Sequence, residues 1–432
     1  MREDPKKTAE EIFRAALEAA DPYRAVEDNA RRIRDAYEKG GFKRLVVAGF
    51  GKASVPMVEA IEDTLGDIVA EGVAITKHGA LKGVSPGLLR DRVRLREAGH
   101  PVPDKHGLRA ASELARLLEK ADEDTLVVCL ISGGGSALLT APQEGVSLEE
   151  KQELTNALLR SGADIRELNA VRKHVSRVKG GRLARMAHPA GVVSLIVSDV
   201  VGDPLDVIAS GPTAPDASTY GDALAVLEKY RISAPPGVKA FLEKGSRGEV
   251  PETPKMDDPV FAKVENIIVS NNRSALEQAR RKAREKGFRA EVLTDTLQGD
   301  VSEAARWLLE KAQETRERPA ALISGGETTV VVRGPGKGGR NMHMALGFAL
   351  MVENAEGITM LSAGTDGTDG PTDAAGAVVD GRTVPRARAK GIDPEACLRK
   401  NDSYTFFLKA GGLLVTGPTG TNVMDVQVIL LT

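Results

Sequence analysis

Apolar residues in this chain fall in short runs that end abruptly in glycine and serine, and the stretches between them repeat with helical spacing. Residues 43–48 read as a strand broken by Gly49-Phe50-Gly51-Lys52-Ala53-Ser54 and followed by a helix through about Leu65. Further strands are predicted at 68–76, 93–97, 125–131 and 192–197, with helices near 107–119 and 148–160. Residues 8–20 and 22–39 have helical periodicity, with Pro22 suited to a first turn and Gly40-Gly41 to a stop. Both are expected on one face of the first sheet. Residues 165–187 are helical in pattern with a break at Gly180-Gly181, and 198–216 read as a long turn-rich segment. Strands alternating with helices predict a mostly parallel sheet.

A stretch rich in Gly, Pro and charge between Lys244 and Val260 marks the expected boundary, giving domains 1–250 and 251–432. Beyond it the alternation restarts: strand 266–270, helix 273–286, strand 290–294, helix 301–314 and strand 320–323, with later strands at 358–361, 413–416 and 426–431. The expected fold class is α/β, with two α/β/α domains. Two runs in this half end in Ser324-Gly325-Gly326-Glu327 and in Ser362-Ala363-Gly364-Thr365-Asp366-Gly367. Ligands sit beyond the carboxyl ends of parallel strands, and glycine lets backbone N–H groups turn toward a phosphate. The expectation is a phosphate cradle with carboxylates alongside.

Composition narrows the function. A chain of 432 residues exceeds the usual single core, which fits two domains. A net charge of -2 and a pI near 6.4 argue against a nucleic-acid surface. Cys129 and Cys397 are the only cysteines, and neither a charged-then-apolar leader nor a membrane-length apolar run is seen. The expectation is a soluble cytoplasmic protein without a disulfide framework.

Gly49-Phe50-Gly51-Lys52 resembles the start of a dinucleotide fingerprint, but Ser54 holds the third glycine position and Glu71 falls inside the next predicted strand. The other reading is a tight turn with a solvated lysine; beside a helix N-terminus, Lys52 would make an anion site. Ser132-Gly133-Gly134-Gly135-Ser136 follows the strongest strand and is read as binding oxygens through amides and hydroxyls. Arg172, Lys173, His174, Arg177 and Lys179 crowd one segment: a solvated face, or a clamp for a substrate carboxylate. Asp366, Asp369 and Asp373 share a glycine-rich loop, either hydrated or compensated by Mg²⁺ or a substrate hydroxyl. Arg340, after Gly336-Lys337-Gly338-Gly339, can fork onto a phosphoryl group. No Gly-Lys-Ser/Thr closes a P-loop, and no two histidines have zinc-site spacing.

Taken in order, GFGKAS, LISGGGSALL, NAVRKHVSRVKGGRLA, SDVVGDPLDVIASGPTAPD, LISGGETTVVV, GGRN, SAGTDGTDGPTDAAGA and NDSYTFF…TGPTGTNV make the chain similar to the ATP-dependent glycerate 2-kinases that carry a C-terminal MOFRL domain. The resemblance implies a Rossmann-like N-terminal domain, a smaller α/β C-terminal domain and an active site in the cleft between them. It implies transfer of the ATP γ-phosphoryl group to D-glycerate, giving 2-phosphoglycerate with Mg²⁺; a homodimer is one assembly it allows. Carried onto this sequence, it makes Lys52, Arg340 and Asp366 catalytic. It makes Gly51, Ser132, Gly133, Gly134, Gly135, Ser136, Arg172, Gly325, Gly326, Glu327, Thr328, Gly338, Gly339, Asn341, Thr365 and Thr419 ligand-binding, with Asp199 and Asp366 as metal candidates. The chain departs from the family pattern at Met342-His343 and at Met424, where thioethers replace polar side chains. Two competing functions are an NAD(P)H-dependent hydroxypyruvate reductase, which requires a complete dinucleotide fingerprint, and a non-catalytic sugar-phosphate-binding protein.

Overall fold

The computed structural model describes residues 4–82 and 92–432. The chain divides into two compact units, one of residues 22–198 and 203–269, the other of 1–21, 199–202 and 270–432. Among the described residues no helix is long and apolar enough to cross a membrane.

The first unit is built on a six-stranded sheet of β1 (Arg44–Phe50), β2 (Val69–Lys77), β3 (Val93–Ala98), β4 (Thr125–Ile131), β5 (Gly191–Val197) and β6 (Val264–Ser270), in the order β3-β2-β1-β4-β5-β6. The pairings from β3 through β5 are all parallel. Every residue of β4 and β5 is buried, as continuous apolar runs covered on both faces require. The strand order reverses between β1 and β4, and in such sheets the crevice at that reversal, past the strands' carboxyl ends, is where ligands sit.

Two helices important below are fixed at their starts by reciprocal side-chain caps. Ser147 and Glu150 close a capping box on helix Leu148–Ser161, and Asp164 and Glu167 do the same on Ile165–His174. Their apolar faces meet in one core with Leu154, Leu158, Val171, Val175, Tyr220 and Leu242.

The expected boundary at 250/251 falls short of the observed division, because β6 completes the first sheet beside β5 rather than opening the second. Asn266 ties it in: its Oδ1 accepts from Thr213 Oγ1 at 2.7 Å and its Nδ2 donates to Thr213 O at 3.0 Å. The Gly- and Pro-rich stretch before it is held down as well. Thr253 is buried, and Asp216 N donates to Pro254 O at 3.0 Å.

The second unit carries β7 (Arg289–Leu297), β8 (Ala320–Gly326), β9 (Ile358–Gly364), β10 (Gly376–Asp380), β11 (Leu413–Leu414) and β12 (Asp425–Leu431), in the order β11-β10-β9-β12-β8-β7. β7 and β8 are parallel, whereas β12 runs antiparallel to both β8 and β9, and β10 antiparallel to β9 and β11. Since β12 opposes each of its neighbours, β8 and β9 point the same way and end at the same edge. Asp425, the first residue of β12, is paired there with Gly326 on one side and Gly364 on the other.

Helix Pro5–Ala19 belongs to this second unit, contrary to the expectation that it covers the first sheet. Its buried stripe of Ala9, Ile12, Phe13 and Ala16 lies against helix Asn272–Glu285, with Lys6–Asp380 (3.1 Å) and Lys286–Glu11 as ion pairs. Residues 22–39 form two helices, Pro22–Glu27 and Ala30–Lys39, in the first unit.

Candidate active-site residues

At the reversal point of the first sheet, the loops after β1 and β4 are bonded to each other. Lys52 N donates to Gly133 O at 2.8 Å, Ala53 N to Ser132 Oγ at 3.1 Å, and Ser132 N to Phe50 O at 3.2 Å. Gly51 has a φ of 137°, and a Cβ there would overlap Ser132 Oγ, so glycine is required for the loops to meet. The Lys52 and Ala53 amides, just ahead of helix Ser54–Leu65, are therefore spent on the neighbouring loop.

What remains open at this point is the Lys52 side chain, which has no hydrogen bond or ion pair among the described residues. Its neighbours are Gly134 and His100: a Cβ on Gly134 would lie 3.2 Å from Lys52 Cγ and 3.0 Å from the His100 ring. Burial, with the charges of Lys52 and Lys77, pushes the His100 imidazole down to about 4, so it is neutral beside the lysine.

Farther along the same loop, Gly135 fits between Phe50 and Ala209. Ser136 Oγ is 2.6 Å from Ser210 Oγ, and Ser210 Oγ donates to Asn169 Oδ1 at 3.1 Å. Arg172, on helix Ile165–His174, is held without a carboxylate partner among the described residues, and burial pulls its pKa down.

In the second unit the chemistry gathers around Asp425. Arg340 opens helix Arg340–Met351 and grips this carboxylate through Nε (2.6 Å to Oδ2) and Nη2 (3.0 Å to Oδ1), while its Nη1 donates to Glu327 Oε1 at 2.8 Å. One hydrogen on each Nη stays unspent. Burial weakens the guanidinium's hold on its proton, but Asp425 outweighs it and raises the Arg340 pKa. Burial likewise raises the Asp425 pKa, against the pull of Arg340. Asn341 Nδ2 adds a 2.9 Å donor to Asp425 Oδ1, and its Oδ1 accepts from Ser362 Oγ at 2.7 Å.

Asp369 caps the same helix, accepting from Asn341 N at 3.0 Å and Met342 N at 2.7 Å. Burial pushes its carboxyl up to about 6 despite those two donors. Asp366 is different: half-buried, it accepts from Thr368 N (3.0 Å) and Thr368 Oγ1 (3.1 Å) through Oδ1 alone. A Cβ on Gly364 would lie 3.4 Å from Asp366 Oδ1 and 3.5 Å from Asp425 Oδ1, so the two carboxylates flank that bare main chain.

Several expected ligand-binding residues are structural. Gly325 and Gly326 are strand residues rather than loop: their missing side chains make room for Asn272 and for the Leu297 backbone. Gly338 and Gly339 give way in the same manner to Ser403 and Asp369. At these glycines the missing side chains make room for close approaches of neighbouring chain. Thr365 Oγ1 donates to Met424 O at 2.6 Å and accepts from Val423 N at 2.8 Å, and Thr419 Oγ1 donates to Thr365 O at 2.6 Å. Thr328 is buried with its hydroxyl unpartnered. Met342 and Met424 are buried, so the departures from the family pattern fill core volume. Asp199 lies with the second unit.

Sequence reasoning passed over Asp425 and gave Asp369 no role of its own. The only early sign of Asp425 was its place at the end of Asn422-Val423-Met424-Asp425, just before an apolar run.

For Mg²⁺, the fit is partial. Asp425 and Asp369 are committed to Arg340 and to the helix start, whereas Asp366 Oδ2 has no partner among the described residues. Mg²⁺ takes one or two carboxylates and fills the rest of its shell with water and substrate phosphates, so one free carboxylate suits it. Among the described residues, His78, Asp104 and His106 are the group whose ligand atoms converge to metal-binding distance, and they lie at the surface of the first unit.

A family model described as a domain of unknown function, DUF4147, matches residues 8–243, and the MOFRL family model matches residues 320–425. The D-glycerate 2-kinase of Thermotoga maritima is 45% identical over 435 residues, covering 99% of this chain and 99% of that protein. An Agrobacterium vitis protein named as a putative hydroxypyruvate reductase is 41% identical over 429 residues, 97% of this chain and 93% of its own length. The crystal structure of glycerate kinase from Thermotoga maritima matches with a TM-score of 0.88 at 44% identity, covering 99% of both chains. On these grounds the chain belongs to the glycerate 2-kinase family that joins a DUF4147 domain to a MOFRL domain.

Proposed function

We propose that this protein transfers the γ-phosphoryl group of ATP to the 2-hydroxyl of D-glycerate, giving 2-phosphoglycerate, with Mg²⁺ as the metal. The observation that carries the reading is the unneutralised Lys52 ammonium at the strand-order reversal, in a chain similar to D-glycerate 2-kinase along its whole length. Phosphoryl transfer needs positioning and charge neutralisation more than covalent help. Lys52 supplies a mobile point charge for an anionic oxygen. Arg340, aimed by Asp425 and Glu327, offers its remaining Nη hydrogens to phosphoryl oxygens. Asp366 holds the metal or accepts the hydroxyl proton. Mg²⁺, when bound, would neutralise phosphate charge. A cytoplasmic location suits an enzyme whose substrates are ATP and a small metabolite.

The reductase reading meets two obstacles. The amides of Lys52 and Ala53, which a dinucleotide pyrophosphate would need, are already bonded to Gly133 O and Ser132 Oγ. Glu71, the expected ribose ligand, sits near the start of β2 and is held by Arg44 and Arg94. Phosphorus NMR of protein incubated with ATP, Mg²⁺ and D-glycerate tests the proposal. A phosphate monoester coupled to the C2 proton is the expected result; sustained NADH oxidation with hydroxypyruvate, and no ester, would replace it.

A further inference from the structure

Two buried lysines of the first unit, Lys151 and Lys179, and the half-buried Arg172 lie without a counter-charge among the described residues. Lys151 sits on the capped helix Leu148–Ser161, 3% exposed, and its Nζ has no hydrogen-bond partner among the described residues. Lys179, 1% exposed, donates from Nζ only to a carbonyl, Ser136 O, at 2.9 Å. Arg172 is the most accessible of the three. The charge acting on Lys151 is that of Arg172, and those acting on Lys179 are Lys151's and Arg172's; no carboxylate offsets them among the described residues. The adjoining Lys173 points elsewhere, to Asp206 and Asp216.

An unpaired buried ammonium gives up its proton more readily, and an anion bound among these three groups would hold them protonated. Polar groups stand beside the cluster: the hydroxyl of Ser136, whose carbonyl accepts a hydrogen bond from Lys179 Nζ, is chained to Ser210 and Asn169, and Asn169 precedes Arg172 by one helical turn. The charge of the cluster selects an anionic oxygen as its occupant and repels a bare metal ion.

We propose that Lys151, Arg172 and Lys179 form the subsite for the carboxylate of the acceptor acid, with Arg172 touching it and Lys151 and Lys179 acting as positioning residues from behind. This rests on the kinase reading for the identity of the acid. Burial and the Arg172 charge bring the Lys151 ammonium down to about 7, so the empty site sheds protons near neutrality and an arriving carboxylate restores them.

The test is titration calorimetry of the full-length protein with D-glycerate, and separately with Mg²⁺·ADP, for the parent and for Lys151→Met, which keeps the side-chain volume. Expected are a loss of at least tenfold in D-glycerate affinity and no change for Mg²⁺·ADP. At pH 8, proton uptake on D-glycerate binding, read from the dependence of the heat on buffer ionisation, should appear in the parent and vanish in the variant. Thermal melting of Lys151→Met checks the fold, and Arg172→Gln, which keeps a hydrogen-bonding head, gives a second variant expected to weaken D-glycerate alone. Unchanged D-glycerate affinity in both variants, equal weakening of both ligands, or no D-glycerate binding by the parent overturns the proposal. Binding of D-glycerate without ATP-dependent turnover overturns the kinase reading and leaves the subsite standing.

Discussion

Arg340 and Asp425 meet in a two-pronged ion pair at the point where β12 lies between Gly326 and Gly364. Asp425 is buried, and removing the arginine leaves its carboxylate with Asn341 as the one remaining side-chain donor among the described residues. Arg340→Ala should therefore cost stability as well as turnover, by about 3 kcal/mol on the usual scale for breaking a buried pair. Arg340→Lys should recover part of the stability but little activity, because an ammonium cannot reproduce the fork. Denaturant unfolding beside steady-state kinetics checks both; a fully stable Arg340→Ala protein would contradict the geometry.

Lys52 gives the opposite pattern. Its side chain is bound to nothing among the described residues, so Lys52→Met should leave the melting temperature within about a degree while turnover falls by roughly a hundredfold or more. A drop in melting temperature with intact turnover would mean that the lysine is structural.

Lys151 should show its burial in the pH dependence of stability. Its folded-state value of about 7 lies below the ordinary lysine value, so between about 7 and 10.5 the unfolded chain binds more protons and stability rises with pH through that window. In Lys151→Met this rise should shrink, and at pH 7 the variant should be the more stable protein. Melting curves of parent and variant from pH 6.5 to 10 test the sign. An equal slope in the two would show that the ammonium is not under this strain.

Asp366 has one oxygen capping Thr368 and one unengaged. Asp366→Asn keeps the cap acceptor, so stability should change by less than about 1 kcal/mol. The Mg²⁺ concentration for half-maximal turnover should rise at least several-fold if the carboxylate holds the metal. If it instead takes the hydroxyl proton, turnover falls at every Mg²⁺ concentration with no shift in that midpoint.

The α/β class, most strand and helix positions and the family likeness could be read from the sequence, because apolar runs such as Leu126–Ile131 report burial on both faces directly. Partnership was harder. The stripe of Ile12, Phe13 and Ala16 marks a buried helix face but not the sheet beneath it, and Asn266 at the start of an apolar run does not say which edge β6 completes. Glycine was the most deceptive residue type. At Gly325 and Gly339 it stands where Asn272 and Asp369 press on the backbone, and sequence alone does not separate that use from a ligand loop. Asp425 was obscured because its significance comes from Arg340, 85 positions away, and from two strand partners, none of them local in the chain.

The placement of β12 also sets an order of assembly. β8 and β9 share no edge; each is joined to the strand that emerges after both, so during translation the halves of this sheet wait as two separate ribbons. Helix Pro5–Ala19 has to wait as well, since the strands and helix it rests on are made only after the first unit is complete. The growing chain must therefore carry the apolar stripe of that helix uncovered for most of its synthesis.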